Sequence, residues 1–130
     1  MKDIEGLEDI KIFVDGFYGK IQQDDLLGPV FASKISADQW PAHLERMYAF
    51  WGTVLRFKYG FKGNPGAKHM TLPVSAEHFD RWIELFHGTI DTNFEGPVAD
   101  ETKKRSATMA LMFMHKINHL RNNPGFQPVM

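Results

Sequence analysis

Apolar residues recur at helical spacing in four long stretches of this chain, and no pair of segments has the alternation typical of paired strands. Spacings of three and four residues place apolar side chains on one face of a helix. The first stretch carries Tyr18 on the flank of an apolar face made of Ile10, Phe13, Val14, Phe17 and Ile21. Residues 27–31, Leu-Gly-Pro-Val-Phe, then leave room only for a short helical turn. The pattern therefore predicts an all-α protein.

The second stretch begins with a cap and has one ionisable residue on its apolar face. Ser36 and Gln39 have the spacing of a capping box, in which each side chain bonds the other residue's backbone N–H. The face that follows contains His43, Met47, Phe50, Trp51, Val54 and Leu55. Because His43 alone interrupts an otherwise apolar face, it is a candidate for chemistry.

A glycine-rich region follows the second helix and leads to another histidine. Residues 59–66 contain three Gly and one Pro, a composition that predicts a loop. A short helical turn at 67–70 is expected to present His69 before Pro73 ends it. The second candidate for chemistry therefore lies on a short, confined segment.

Two further helices complete the pattern. Ser75 is a predicted N-cap for a third helix, whose inner face consists of Phe79, Trp82, Ile83, Phe86 and Ile90. Gly96 and Pro97 separate it from a fourth helix at about residues 98–121, with a core of Ala110, Phe113, Met114, Ile117 and Leu120. Asn and Gly after residue 121 end that helix and leave a short tail. We expect one domain over residues 1–130, with its core at about 7–122 and a disordered tail.

Composition and charge narrow the function classes. The chain has 11 Phe, 7 Met and 3 Trp, which suit either a pocket for a flat ligand or a Phe-rich helical core. A net charge of -1 shows no excess of positive charge of the kind that binds nucleic acid or anionic lipid. The absence of Cys excludes disulfides, thiolate metal sites and covalently attached c-type haem. No apolar run approaches a membrane span and the first residues are acidic, so we expect a cytoplasmic protein.

Four residues in chain order, Tyr18, His43, His69 and Trp82, together favour a haem pocket. Taken singly, each has an ordinary interpretation as an exposed or helix-start histidine or as an aromatic at the edge of the core. Together they have complementary roles, because one histidine can ligate iron while a second faces the iron across an apolar slot. The Tyr O–H and the Trp N–H are donors that would stabilise the partial negative charge on oxygen bound at iron.

The chain resembles the group III truncated haemoglobins, small globins with a two-over-two helical sandwich around haem. The resemblance covers roughly residues 7–122 and rests on matching segments at 17–20, 27–31, 40–43, 50–51, 68–73 and 79–82. It implies that His69 is the proximal iron ligand and that Phe31 packs on the porphyrin. It further implies a distal hydroxyl from Tyr18, a distal indole from Trp82, and a distal histidine, His43, at the haem edge. Because His43 begins the second helix, we expect its ring at the solvent edge of the pocket.

The same resemblance implies the remaining pocket residues and the cofactor. Arg46 and Lys68 would lie within reach of the haem propionates, although either could be an ordinary solvated charge. The pocket walls would be formed by Met47, Phe50, Leu72, Phe79, Met109 and Phe113, any of which could equally be plain core. The cofactor implied is haem b, held without a covalent bond, with the diatomic gases O2, NO and CO as ligands.

The expected activity follows from two distal donors. Two charge-assisted hydrogen bonds of about 1.5–3 kcal/mol each would slow oxygen release by two or more powers of ten. This favours redox chemistry on the bound gas, such as nitric oxide or peroxide detoxification with an unidentified reductase, over oxygen storage or transport. Two alternatives remain open: a zinc protein using His115 and His119, which lack a nearby third ligand, and a helical interaction module without haem.

Overall fold

The computed structural model describes residues 1–57 and 74–122, with side chains described as far as residue 119. Within these ranges the chain forms helices and turns and no strand, which confirms the all-α prediction. The helices are α1 Leu7–Gln23, α2 Leu27–Ala32, α3 Trp40–Val54, α4 Ala76–Asn93 and α5 Pro97–Asn122, with a 3-10 turn at Ala37–Gln39 before α3. The predicted loop at 59–66, the turn at 67–70 and the tail lie outside the described residues. No helix in the described ranges is long and apolar enough to cross a bilayer.

The helices pack as two pairs, one pair on the other. The first pair is α1 and α3, the second pair is α4 and α5, and α1 also packs against α4. The short helix α2 contacts both α1 and α4, so it lies at the junction of the two pairs. The structure is therefore a two-over-two helical sandwich, as predicted.

Aromatic rings fill the space between the two pairs. Phe13 of α1 is fully buried and meets Trp51 of α3 and Phe86 of α4 edge-on, at centroid distances of 5.7 and 5.8 Å. The residues of the predicted α1 face are all buried: Ile10, Phe13, Val14, Phe17 and Ile21. Burial of one such side chain stabilises the fold by about 1.5–3 kcal/mol, so this face holds the sandwich together.

The α3 face differs from its prediction. Met47 and Trp51 are buried as expected, His43 is buried as well, and Phe50 is only partly buried. Tyr48, which the apolar pattern omitted, is buried and its hydroxyl donates a hydrogen bond to the carboxylate of Asp15 on α1. A polar tip with a partner can be buried as readily as an apolar residue, so α3 is rotated relative to the purely apolar stripe.

The start of α5 is held by the N-terminal segment, which the sequence pattern did not predict. The carboxylate of Asp3 accepts hydrogen bonds from the backbone N–H groups of Val98 and Ala99 at 2.9 and 2.8 Å. Gly96 just before them has a φ of 141°, and a Cβ there would come within 2.6 Å of the Asp3 carboxyl carbon. Glycine is therefore required at this position both by its backbone conformation and by the close approach of the capping carboxylate.

Candidate functional site

A cleft of about 400 Å³, counting its open mouth, lies where α2, the start of α4 and the middle of α5 meet. Its wall is mostly aliphatic or aromatic and is formed by Leu27, Phe31, Val74, His78, Phe79, Trp82, Ala110 and Phe113. Clefts with largely apolar walls and a few polar groups are typical of small-molecule and cofactor sites. The cleft is therefore the candidate binding site.

A group of four side chains, here called the distal cluster, adjoins the cleft through Phe31. It consists of Tyr18, Phe31, Trp40 and His43. The Tyr18 ring lies 5.1 Å from the His43 ring, 5.7 Å from Trp40 and 6.2 Å from Phe31, measured between centroids. The cluster thus joins residues from α1, α2 and α3 around one phenol.

The start of α3 is arranged so that two of these residues face α1. The Ser36 and Gln39 capping box begins the 3-10 turn, and Pro41 occupies the first turn of α3, where its missing N–H costs nothing. Trp40 and His43 are three residues apart and therefore lie on the same face of the helix. Their rings meet edge-on at 5.6 Å, so Trp40 covers the histidine.

Tyr18 is a protonated hydrogen-bond donor at neutral pH in this environment. Its side chain is only 5% exposed, and burial raises the pKa of the phenol above its ordinary value. Among the described residues, none hydrogen-bonds with its hydroxyl. The cluster therefore presents a neutral O–H group surrounded by rings rather than by carboxylates.

Trp82 of α4 lines the cleft and packs against Phe17 of α1, the residue next to Tyr18. The ring of Phe17 lies 5.0 Å from Tyr18 and 5.1 Å from Trp82, so one buried phenylalanine separates the two predicted donors. Trp82 also stacks on Phe86 at 5.3 Å with an interplanar angle of 6°. This packing fixes the indole at the cleft wall.

The structure brings several predicted pocket residues together and leaves others apart. Four of them line the cleft: Phe31, Phe79, Trp82 and Phe113. Met47 is buried, Phe50 and Met109 are partly buried against the core, and Arg46 is exposed on α3. His69, Lys68 and Leu72 lie outside the described residues. The roles of all these residues toward haem stay predictions.

One expectation about His43 is wrong. We expected its ring at the solvent edge of the pocket, but the side chain is only 8% exposed and is enclosed by Tyr18 and Trp40. The reason is the neighbouring tryptophan at the start of α3, which covers the histidine from the side that the helix pattern alone leaves open.

Sequence reasoning missed several residues of the site. Trp40 was considered only as part of a matching segment, and four residues of the cleft wall were given no pocket role: Leu27, Val74, His78 and Ala110. A signal was available for one of them. His78 precedes Trp82 by four residues, which places both on one face of the helix.

The histidines considered for zinc lie apart from the cleft wall. His115 and His119 are exposed on α5. Within residues 1–57 and 74–119, no group of three potential ligands from His, Cys, Asp or Glu is placed to hold a metal ion. The described part of the chain therefore offers no observation in favour of a zinc site.

Three similarities to known proteins bear on the fold and the site. The profile of the family described as Bacterial-like globin matches residues 2–118. Group 3 truncated hemoglobin ctb from Campylobacter jejuni is 27% identical over 113 residues, which is 85% of this chain and 89% of that protein. The crystal structure of group III truncated hemoglobin from Campylobacter jejuni matches with a TM-score of 0.81 and 27% identity, covering 90% of this chain and 95% of that one. The resemblance predicted from the sequence is confirmed.

Proposed function

The chain belongs to the bacterial-like globin family, and on that premise we propose that it holds haem b in the cleft and carries out redox chemistry on a bound gas. Membership of a globin family implies a haem cofactor and the binding of diatomic gases such as oxygen. The absence of Cys excludes thioether attachment, so the proposed haem is held without a covalent bond. We propose a cytoplasmic protein that receives electrons from a reductase.

The described residues fit such a cofactor. A porphyrin is flat and largely apolar, and the cleft wall offers aromatic rings from Phe31, Phe79 and Phe113. Among the described residues, Tyr18 and Trp82 supply hydrogen-bond donors at or beside the cleft, which suits a ligand that accumulates negative charge. Haem, when bound, supplies the iron at which the gas is held and its redox chemistry takes place. His69 is the proposed ligand of that iron on the strength of the family resemblance.

The observation that carries the proposal is the environment of Tyr18. Its buried hydroxyl stays protonated because burial raises the pKa of the phenol, and the rings around it exclude water. A donor fixed in a site of low polarity stabilises developing negative charge without having to reorganise. Tyr18 therefore donates to the gas ligand, with the Trp82 indole N–H as a second donor from the cleft wall.

His43 and Trp40 control access in this proposal. The imidazole lies between Tyr18 and Trp40, and any path into the pocket past His43 requires the indole to move as well. The gate is therefore a pair of rings. His43→Ala should speed ligand entry, and Trp40→Ala should do so to a similar extent, while oxygen release changes less than in Tyr18→Phe. Flash-photolysis rebinding rates measure entry, and unchanged rates in both variants would contradict the gate.

Redox chemistry is favoured over storage by the same donors. An oxygen molecule held by one or two charge-assisted hydrogen bonds of about 1.5–3 kcal/mol each leaves slowly, which defeats delivery. Slow release would give nitric oxide time to react with the oxygen that the site holds. The test is whether the oxygen-loaded protein consumes nitric oxide and whether Tyr18→Phe loses that activity.

Haem ligation itself is tested by a matched pair of histidine variants. His69→Ala should bind haem weakly or lose the five-coordinate ferrous spectrum, because the proposed axial nitrogen is gone. His115→Ala, on the exposed face of α5, should leave the spectrum unchanged. A native Soret band and a native iron–nitrogen stretch in His69→Ala would contradict the assignment of His69.

A further inference from the structure

Two helical segments of this chain begin with the same kind of cap, but one cap uses an unusual residue. At the turn before α3, the Ser36 backbone N–H donates to Gln39 Oε1 at 2.9 Å. At the start of α4, the Ser75 backbone N–H donates to His78 Nδ1 at 3.1 Å. Glutamine and glutamate are the usual residues for this role, so the cap alone does not call for an imidazole.

The two capping residues, Gln39 and His78, differ in their surroundings, and this difference accounts for the histidine at the second cap. Gln39 is exposed, whereas His78 is half-buried and forms part of the cleft wall beside Phe79 and Trp82. A half-buried residue of the wall lies at the border between the cleft and solvent. Among the described residues of the wall, His78 therefore adds a polar group at the rim, apart from the indole N–H of Trp82.

The cap also determines which ring nitrogen of His78 carries the proton. Nδ1 accepts the Ser75 N–H, and the Ser75 hydroxyl lies 3.0 Å from the same nitrogen. A neutral imidazole has one donor and one acceptor nitrogen, so the hydrogen resides on Nε2. The cap thereby leaves an N–H donor on the far side of the ring from Ser75.

We propose that His78 Nε2–H donates a hydrogen bond to a carboxylate of the porphyrin held in the cleft, an inference that rests on the haem-binding function proposed above. The peripheral acceptors of a porphyrin are its carboxylates, which favour the water-exposed rim of a pocket. A carboxylate beside an apolar wall needs a donor, and a hydrogen bond to a charged acceptor is among the stronger kinds. His78 thus both caps α4 and orients the cofactor.

The test separates the cap from the porphyrin contact with two variants. His78→Glu keeps an accepting oxygen for the Ser75 N–H but has no donor. His78→Gln keeps the accepting oxygen, as Gln39 does at the other cap, and retains an N–H donor in its amide. Unchanged thermal midpoints in both variants verify that the cap is intact.

Each variant is titrated with iron protoporphyrin IX and with its dimethyl ester, which lacks charged carboxylates, and binding is followed by quenching of tryptophan fluorescence. His78→Glu should weaken binding of the free acid at least tenfold and of the ester less than twofold, while His78→Gln stays within about threefold of wild type. Equal weakening of both porphyrins in His78→Glu, or no weakening of either, would overturn the contact while leaving haem binding intact. A wild-type chain that binds neither porphyrin would overturn the proposed function as well.

Discussion

Two buried tyrosines lie on the same pair of packed helices, and their hydroxyls are used in opposite ways. Tyr48 on α3 donates to the carboxylate of Asp15 on α1, and the two side chains are here called the tether. Tyr18 on α1 belongs to the distal cluster, where no described residue hydrogen-bonds with its hydroxyl. The pKa of both phenols lies above its ordinary value, through burial alone for Tyr18 and through burial and then the Asp15 hydrogen bond for Tyr48.

The contrast distinguishes a structural hydroxyl from one kept for a ligand. A phenol that has a carboxylate partner contributes to stability in the folded chain without any ligand. A buried phenol among aromatic rings contributes little until an acceptor enters the site. We therefore expect substitutions at the tether to change stability and substitutions in the distal cluster to change ligand binding.

The largest effect is expected in the aromatic layer between the two helix pairs, which lies outside both the tether and the distal cluster. Phe86 is fully buried, stacks on Trp82 of the cleft wall and on Trp51, and meets Phe17 edge-on. Phe86→Ala should lower the free energy of unfolding by about 3–5 kcal/mol, because it leaves a cavity among four rings. Ile12→Ala, on the exposed side of α1, should change it by less than about 0.5 kcal/mol in urea denaturation. Similar losses in the two variants would mean that the aromatic layer is not the core.

The second effect separates the two tyrosines directly. Tyr48→Phe should lower the free energy of unfolding of the haem-free chain by about 1.5 kcal/mol, the lower end for a hydrogen bond to a charged group, because the exposed Asp15 regains water. Tyr18→Phe should leave the same quantity within about 0.5 kcal/mol. Denaturation followed by circular dichroism measures both. An equal loss of unfolding free energy in Tyr18→Phe and Tyr48→Phe would contradict the distinction between the two hydroxyls.

A smaller effect concerns the carboxylate that caps α5. Burial pushes the pKa of Asp3 upward, but hydrogen bonds from Val98, Ala99 and Ile4 outweigh it, so the pKa lies below its ordinary value. A carboxyl whose pKa is lowered by folding contributes stability that is present above the unfolded pKa and is lost as pH falls through the folded one. Asp3→Asn should therefore cost about 1 kcal/mol at neutral pH and less below about pH 3. Asp25→Asn, in an exposed turn, serves as the control, and an unchanged pH profile in Asp3→Asn would contradict the cap.

The sequence pattern predicted those parts of the structure that depend on local spacing. The α1 face was predicted residue by residue, because every apolar position there meets another helix. The burial of Tyr48 and the covering of His43 by Trp40 were not predicted, since both depend on how α3 is rotated against α1. The Asp3 cap joins residues 95 positions apart, for which no local signal exists.

The candidate site was predicted by resemblance more than by pattern. Phe31, Phe79, Trp82 and Phe113 come from three helices, α2, α4 and α5, and only the family likeness assigned them to one pocket before the structure brought them to one cleft. His78 was missed, although it lies four residues before Trp82 on the same face of the helix, because nothing in the sequence shows that this face borders a cleft. A role for its Nε2–H as a donor to a ligand can be proposed only once His78 is known to line the cleft.

The most direct test of the account is the release of two gases from the haem-loaded protein. Oxygen gains more negative charge than carbon monoxide when it binds, so a distal donor holds oxygen more strongly. Tyr18→Phe should raise the oxygen dissociation rate at least tenfold, the loss of a hydrogen bond of about 1.5–3 kcal/mol, and raise that of carbon monoxide far less. Tyr48→Phe, whose hydroxyl belongs to the tether, should leave both rates unchanged in stopped-flow displacement experiments. Equal increases for both gases in Tyr18→Phe, or an oxygen effect of the same size in Tyr48→Phe, would contradict the assignment of Tyr18 as the distal donor.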